Sequence, residues 1–199
     1  MISILNTNDK LNEQKNSLNV TYPRTVNIIF GNYPYPDVVH NLIIHIKNNL
    51  NHDVKKYSNI SGSITDWKYF LDKPEFNNFM AYLIAKYQVT HPDIFQYFYE
   101  KNSISAAWGT EIKKGNDLKY HSHPCMHGIL YLTKGCDLIL PELNLKISPK
   151  PGDYYIYPSK IIQGFDKSTE ENNRYNLVFN FDWSYNIEYG KKINARKNI

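Results

Sequence analysis

The stretch His121-Ser-His123-Pro-Cys-Met-His127-Gly-Ile-Leu-Tyr-Leu132 holds three of the seven histidines in this chain, and no histidine follows it. Its second half is an apolar run, which predicts a β-strand beside the His-x-His pair. Side chains two residues apart on a strand point to the same face, so the imidazoles of His121 and His123 can converge on one ion. We therefore predict a metal site at the mouth of a β-barrel. Any further ligand from a later strand has to be a residue other than histidine.

Short strands separated by turn sequences make up the chain from Ser103 onward. The turn sequences are Lys114-Gly-Asn116, Lys134-Gly135 and Pro149-Lys-Pro-Gly-Asp153. The predicted strands cover residues 103–112, 119–123, 127–133, 137–140, 143–148, 153–157, 161–166, 173–182 and 184–189. Many short strands at this spacing are typical of a β-sandwich or a jelly-roll barrel.

One strand and three amphipathic helices are predicted before that point. The strand covers residues 24–30, and the first helix begins at Pro36 with apolar residues at three- and four-residue spacing: Val38, Val39, Leu42, Ile43, Ile46 and Leu50. The second helix begins near Asp72-Lys-Pro-Glu75 and carries Phe76, Phe79, Met80, Leu83, Ile84 and Tyr87; a shorter third helix follows Thr90-His-Pro-Asp93. Because an apolar stripe needs a cover, we expect the helices to pack on the outside of the sheet.

No internal repeat and no linker interrupts the sequence, so we predict one domain over residues 1–199. Within it we expect a flexible N-terminus at 1–20 and a helical support region at 21–102. A β core at 103–190 and a basic tail at 191–199 would follow.

The composition excludes several classes of partner. The net charge of +4 is confined to the last nine residues, which contain four Lys or Arg and no acid. This pattern predicts a solvated tail and argues against a specific nucleic-acid partner. Cys125 and Cys136 are too few for a disulfide framework. With no signal peptide and no apolar segment long enough to cross a bilayer, we expect a cytoplasmic protein with no membrane partner.

Three segments of the β-rich half carry a family resemblance. They are Ala107-Trp-Gly109 … His121-Ser-His-Pro124 … His127-Gly-Ile-Leu-Tyr-Leu132, then Pro151-Gly-Asp-Tyr-Tyr-Ile-Tyr-Pro-Ser-Lys-Ile-Ile-Gln163, then Asn173-Arg-Tyr-Asn-Leu-Val-Phe-Asn-Phe181. In this order they resemble a phage and bacterial family of 2-oxoglutarate- and Fe(II)-dependent oxygenases. The pattern of that family reads His-x-His-Pro, then Ser-Gly-Val-Tyr-Tyr, then Phe-Pro-Ser followed by His, then an Arg that opens a Phe-Asn strand. The resemblance covers about residues 103–183.

The resemblance implies a double-stranded β-helix, a cupin-like jelly roll, with one Fe(II) ion at its mouth. His121 and His123 would be the first two iron ligands, and Arg174 would bind the distal carboxylate of 2-oxoglutarate. A guanidinium fork suits a carboxylate. Asn176 shares the strand face of Arg174 and could assist it, and the hydroxyl of Tyr131 could reach the same end.

Gln163 departs from the family pattern, which has histidine at this position. A neutral amide oxygen is a poorer donor for iron than imidazole, so Gln163 as third ligand would weaken iron binding. This departure motivates one alternative, a catalytically degenerate barrel that acts as a binding module.

The motifs of a second family, the cupins, are also similar to this sequence. Cupins carry Gly-x5-His-x-His-x3-4-Glu and later Gly-x5-Pro-x4-His. Gly115 and Gly152 occupy the two glycine positions, His127 occupies the Glu position, and Gln163 again replaces the last histidine. This resemblance implies a cupin-type metalloenzyme in which His127 joins the histidine pair as a ligand and Gln163 is an optional fourth.

The leading prediction is an Fe(II)- and 2-oxoglutarate-dependent dioxygenase, a hydroxylase, or a divergent relative. Iron is the expected cofactor and 2-oxoglutarate the co-substrate, and no catalytic residue is predicted beyond the metal site. The expected partner is a small-molecule or protein side-chain substrate, and a homodimer is left open.

Overall fold

The computed structural model describes residues 2–11, 20–51, 59, 61–87, 89, 104–123, 125–157, 161–169 and 171–181, with side chains from residue 28 onward. In these ranges the elements are β1 (Ile2–Leu11), β2 (Val20–Asn32), α1 (Pro36–Asn48), β3 (Ser63–Ile64), α2 (Pro74–Tyr87), β4 (Ile104–Ile112), β5 (Leu118–His121), β6 (His127–Tyr131), β7 (Leu138–Leu140), β8 (Leu145–Ile147), β9 (Asp153–Tyr157), β10 (Gln163–Phe165) and β11 (Arg174–Phe181). A short 3₁₀ helix, Pro141–Leu143, joins β7 to β8.

The strands form two antiparallel sheets. The larger sheet has the order β1-β2-β9-β6-β11-β4-β3, and the smaller has the order β5-β10-β7-β8. Strands that follow one another in the chain therefore often lie in different sheets, as in a jelly roll. The predicted fold class, mainly β with flanking helices, is confirmed.

Side chains of the larger sheet alternate between two cores, as the two-residue period of a strand requires. On one face α1 and α2 pack against Leu130, Tyr154, Ile156, Leu177 and Phe179. The other face holds Ile129, Tyr131, Tyr155, Tyr157 and Val178, which pack against residues of β7 and the 3₁₀ helix. Burial of one such Leu or Phe side chain contributes about 1.5–3 kcal/mol, so the helices are held mainly by this outer core. They pack outside the barrel, as predicted.

The apolar face of α1 packs against a glycine of the larger sheet. Leu42 and Ile46 are fully buried, and a Cβ placed on Gly109 of β4 would overlap the side chain of Ile46. The missing side chain lets the helix approach the sheet closely. Pro36 occupies the first helical position and Asp37 the first turn, which fits a helix N-terminus.

The structure differs from the sequence predictions in three places. Residues 2–11, expected to be flexible, form β1 and pair with β2; such pairing uses backbone groups and needs no side-chain periodicity. In the support region at 21–102, β2 contains the predicted strand at 24–30, whereas β3 was not predicted. Strand β5 ends at His121, so the second histidine of the pair lies just beyond the strand. The helix predicted after Thr90, the strand at 184–189 and the tail at 191–199 lie outside the described residues.

Within the described part of the chain, neither helix is long and apolar enough to cross a membrane.

Candidate active site

A cavity of about 250 Å³ lies between the two sheets. All the residues that the sequence predicted for the site line it: His121, His123, His127, Tyr131, Gln163, Arg174 and Asn176. We call the part formed by His121, His123, His127 and Gln163 the histidine end, and the part formed by Tyr131, Arg174 and Asn176 the arginine end. The antiparallel pairing of β6 with β11 places these residues at the two ends of the cavity. His127 lies opposite Asn180 at one end, and Tyr131 lies opposite Asn176 at the other.

The two histidines of the His-x-His pair converge. Their Nε2 atoms are 3.1 Å apart, and the rings are inclined at 65°. Two donors that each lie about 2.1 Å from one ion and 3.1 Å from each other subtend about 95° at the ion, which suits two adjacent coordination positions. His121 donates from Nδ1–H to the carbonyl of Lys119 at 2.7 Å, so its Nε2 carries no proton. This nitrogen accepts the hydrogen bond from Nε2–H of His123, and it is the one that could coordinate an ion. Burial, followed by the neighbouring His121, lowers the pKa of His123 to about 4, so His123 is in its neutral, metal-binding form near pH 7.

Gln163 and His127 belong to one buried chain of hydrogen bonds. Gln163 lies opposite His121 in the pairing of β10 with β5. Its Oε1 accepts a hydrogen bond from the hydroxyl of Tyr157, and its Nε2 lies 3.1 Å from Nε2 of His127. On the other side of that ring, Nδ1 of His127 lies 2.7 Å from Oδ1 of Asn180. Burial holds the pKa of His127 well below its ordinary value, so the ring is neutral.

The arginine end contains a buried positive charge. Arg174 is 2% exposed, and its guanidinium lies 4.8 Å from the ring centroids of both Tyr131 and Phe165. It donates from Nε to Oδ1 of Asn176 at 3.1 Å and from Nη1 to the carbonyl of Cys136 at 2.5 Å, which uses two of its five N–H groups. Among the described residues no carboxylate makes a salt bridge with Arg174. A buried charge that makes no direct salt bridge is costly, so this end favours an anion.

The hydroxyl of Tyr131 is another buried polar group at the arginine end. It lies near the guanidinium of Arg174, and no described residue makes a hydrogen bond of normal geometry with it. Burial is the main reason that its pKa lies far above the ordinary value, so the hydroxyl stays protonated and can donate. Asn176 is held by a hydrogen bond from Nδ2 to Oγ1 of Thr110 at 3.2 Å. A carboxylate at this end would accept from both the guanidinium and the phenol.

The histidine end fits a metal ion with few protein ligands. No group of three or more His, Cys, Asp or Glu side chains in the described ranges is arranged to hold an ion. The His121–His123 pair nevertheless offers two adjacent imidazole donors, and such an ion takes its other ligands from oxygen atoms of a substrate and water.

Two tryptophans are among the lining residues that sequence reasoning did not assign to the cavity. Trp67 lines it and packs edge-on against Trp108 at a centroid distance of 4.6 Å. Trp67 lies in a turn with no periodic pattern, so no sequence signal indicated it. Trp108 is 5% exposed, belongs to the core on the inner face of the larger sheet and also forms part of the cavity wall.

Comparison with protein-family models gives no match, and comparison with curated proteins gives none either. Solved structures do match. A viral collagen prolyl hydroxylase from Paramecium bursaria Chlorella virus-1, in complex with 2-oxoglutarate, superposes with a TM-score of 0.58 at 12% identity; the match covers 78% of this chain and 94% of that one. A prolyl-4-hydroxylase from Pseudomonas putida gives 0.57 at 12% identity and covers 77% and 91%. HygX from Streptomyces hygroscopicus, with nickel and 2-oxoglutarate bound, gives 0.51 at 10% identity and covers 78% and 82%.

The chain has the fold of the 2-oxoglutarate-dependent oxygenases. The double-stranded β-helix that the resemblance implied is thereby confirmed. Identities of 10–14% establish the oxygenase fold alone, so activity has to be argued from the side chains of the site.

Proposed function

We propose that the protein is an Fe(II)- and 2-oxoglutarate-dependent dioxygenase that hydroxylates its substrate. The observation that carries the proposal is the presence, in one cavity, of two converging imidazoles and a buried arginine that makes no salt bridge with any described carboxylate. In the proposed reaction, 2-oxoglutarate and O₂ convert an R–H group into R–OH and yield succinate and CO₂.

The arginine end would hold the co-substrate. Arg174 would donate to the distal carboxylate of 2-oxoglutarate, and the buried hydroxyl of Tyr131 would donate to the same group. Asn176 fixes the guanidinium through Nε, so the fork is oriented before the ligand arrives. The keto-acid part of the molecule would then extend toward the histidine end.

The histidine end would hold the iron through Nε2 of His121 and Nε2 of His123. A bound iron ion would supply the oxygen and redox chemistry that no side chain of the cavity can supply. The apolar wall of Trp108, Ile129 and Val178 would keep bulk water from the reacting groups.

The substrate would present a neutral group. Apart from Arg174, the described residues that line the cavity include no Lys, Arg, Asp or Glu. The cavity of about 250 Å³ is smaller than the ~300–1,000 Å³ of pockets that enclose a whole ligand, and the co-substrate takes one end. One part of a small molecule, or one protein side chain, would therefore enter past Trp67. If the compounds that most increase succinate formation carry a charge on the group that reacts, the proposal of a neutral substrate group is wrong.

The test is succinate formation from 2-oxoglutarate in the presence of Fe(II), a reductant and oxygen. We expect the wild-type protein to release succinate slowly even without substrate, and we expect His123→Ala to reduce this release by at least about 100-fold because one of two imidazole ligands is lost. His40→Ala, which removes an exposed histidine of α1, is the matched control and should match the wild type. Equal rates in wild type and His123→Ala would contradict the proposal.

Gln163 favours a second candidate function, a barrel that binds 2-oxoglutarate without turnover. Among the described residues, no third imidazole or carboxylate is arranged to hold an ion together with His121 and His123. Calorimetry combined with the succinate assay separates the two functions. Binding of 2-oxoglutarate without any iron-dependent formation of succinate would support the binding module.

A further inference from the structure

We propose that His127 is a positioning residue for His123 and that Gln163 holds His127 in place, so that neither residue is a metal ligand. The inference rests on the proposed function, because it concerns the metal site of that function. It assigns roles to the two side chains that the sequence left as alternative ligands.

The ring geometry argues that His127 and His123 do not bind the same ion. The two imidazoles are stacked with centroids 3.8 Å apart and planes inclined by 13°. The lone pair of an imidazole nitrogen lies in the plane of its ring, so a bound ion lies in or near that plane. An ion in the plane of His123 lies well outside the nearly parallel plane of His127. His121 differs, since its ring is inclined at 65° to His123 and its Nε2 is 3.1 Å from that of His123.

Both nitrogens of His127 are engaged elsewhere. The amide nitrogen of Gln163 can only donate, so Nε2 of His127 accepts the 3.1 Å hydrogen bond and carries no proton. Nδ1–H then donates to Oδ1 of Asn180 at 2.7 Å. A neutral ring with a single tautomer and two bonds is fixed in position. It forms a flat support against which His123 packs.

The amide of Gln163 is also committed. Its oxygen accepts from the hydroxyl of Tyr157, and its nitrogen donates to His127. Gln163 is 2% exposed, and rotation of its amide toward a metal ion would leave the buried Tyr157 hydroxyl and His127 Nε2 without these partners. A buried polar group that loses its partner costs about 1–3 kcal/mol, so the chain of bonds opposes ligation by Gln163.

The four members of this chain come from four strands. Tyr157 ends β9, Gln163 begins β10, His127 begins β6, and Asn180 is near the end of β11. Their hydrogen bonds tie the smaller sheet to the larger one at the place where His123 stacks. The position of the His123 ring therefore depends on the closure of the barrel.

The experiment is a titration of the full chain with Co(II), followed by its visible absorption, which reports the number and type of ligands. His127→Phe keeps a stacking ring and removes both nitrogens. We expect it to bind one ion with the wild-type absorption bands and with less than about 10-fold loss of affinity, whereas His127→Ala, which removes the support, should lose about 10- to 100-fold. Gln163→Met should weaken binding without moving the bands. His123→Ala, a true ligand variant, should abolish saturable binding.

Changed bands or lost binding in a folded His127→Phe would overturn the proposal, and shifted bands in Gln163→Met would overturn the role of Gln163. Should these variants fail to fold, ¹⁵N-histidine spectra of the wild type with Zn(II) give the same answer. Nε2 of His121 and His123 should shift on binding, and a comparable shift at His127 would refute the proposal. A wild type that binds no ion would overturn both this inference and the proposed function, whereas loss of binding in His127→Phe alone would overturn only the former.

Discussion

Arg174→Met is expected to abolish measurable binding of 2-oxoglutarate while leaving the rest of the cavity in place. Arg174 is the single Lys or Arg among the described residues of the cavity, and its guanidinium is buried. Removal of one partner of a buried charge pair costs about 3–5 kcal/mol, which corresponds to at least about a 100-fold rise in the dissociation constant. Methionine is flexible and apolar, so it can keep the packing against Tyr131 and Phe165. Arg174→Lys keeps the charge and loses the fork, and we expect about a 10-fold rise.

Calorimetric titration with two acids tests this prediction. 2-Oxobutanoate lacks the distal carboxylate, so its weaker binding should be nearly the same in wild type and Arg174→Met. Lys114→Met is the matched control, since Lys114 pairs with the exposed Glu171 and neither residue lines the active-site cavity. If Arg174→Met weakened the binding of both acids to the same extent, Arg174 would act by supporting the structure, for example through its hydrogen bond to the Cys136 carbonyl. That result would contradict the proposed contact with the distal carboxylate.

Gly128→Val is expected to give the largest loss of stability. Gly128 lies on β6 opposite Phe179 of β11, and the three atoms nearest to a Cβ placed on Gly128 all belong to the Phe179 ring. Phe179 is fully buried in the outer core, so the ring cannot swing into solvent. Overpacking of a buried site costs about 1–3 kcal/mol, and we expect a value near the upper limit for the branched side chain of valine. A loss of about 3 kcal/mol corresponds to a melting temperature lower by roughly 6–12 °C in a domain of this size.

A double-mutant cycle of denaturant unfolding checks the cause. Phe179→Leu alone should destabilise the protein, and the pair Gly128→Val with Phe179→Leu should be more stable than the sum of the single effects predicts. We expect a coupling of at least about 1 kcal/mol, because the two residues are in contact. Additive changes in the free energy of unfolding would show that the valine is tolerated or that it destabilises the protein for a reason other than contact with Phe179.

Local patterns in the sequence were sufficient for most elements. Pro36 and Pro74 mark the helix starts, and the two-residue alternation after Arg174 correctly placed Asn176 on the cavity face. The pairing of β1 with β2 was not predicted, although β2 contains the predicted strand at 24–30, because backbone hydrogen bonds join the two strands and no sequence pattern records them.

The sequence by itself determined which side chains share a face. A two-residue step from Arg174 reaches Asn176, because the strand period is a local property. The same period predicted that His121 and His123 share one side, but His123 lies beyond the end of β5, so the residues that follow the strand bring the two rings together. Only the tertiary structure decided that the histidine end and the arginine end share one cavity. It also decided that Gln163 meets His127, since these residues lie on different sheets. Such contacts depend on how strands that are distant in the chain pair and on how the two sheets close over each other, and no local pattern records either.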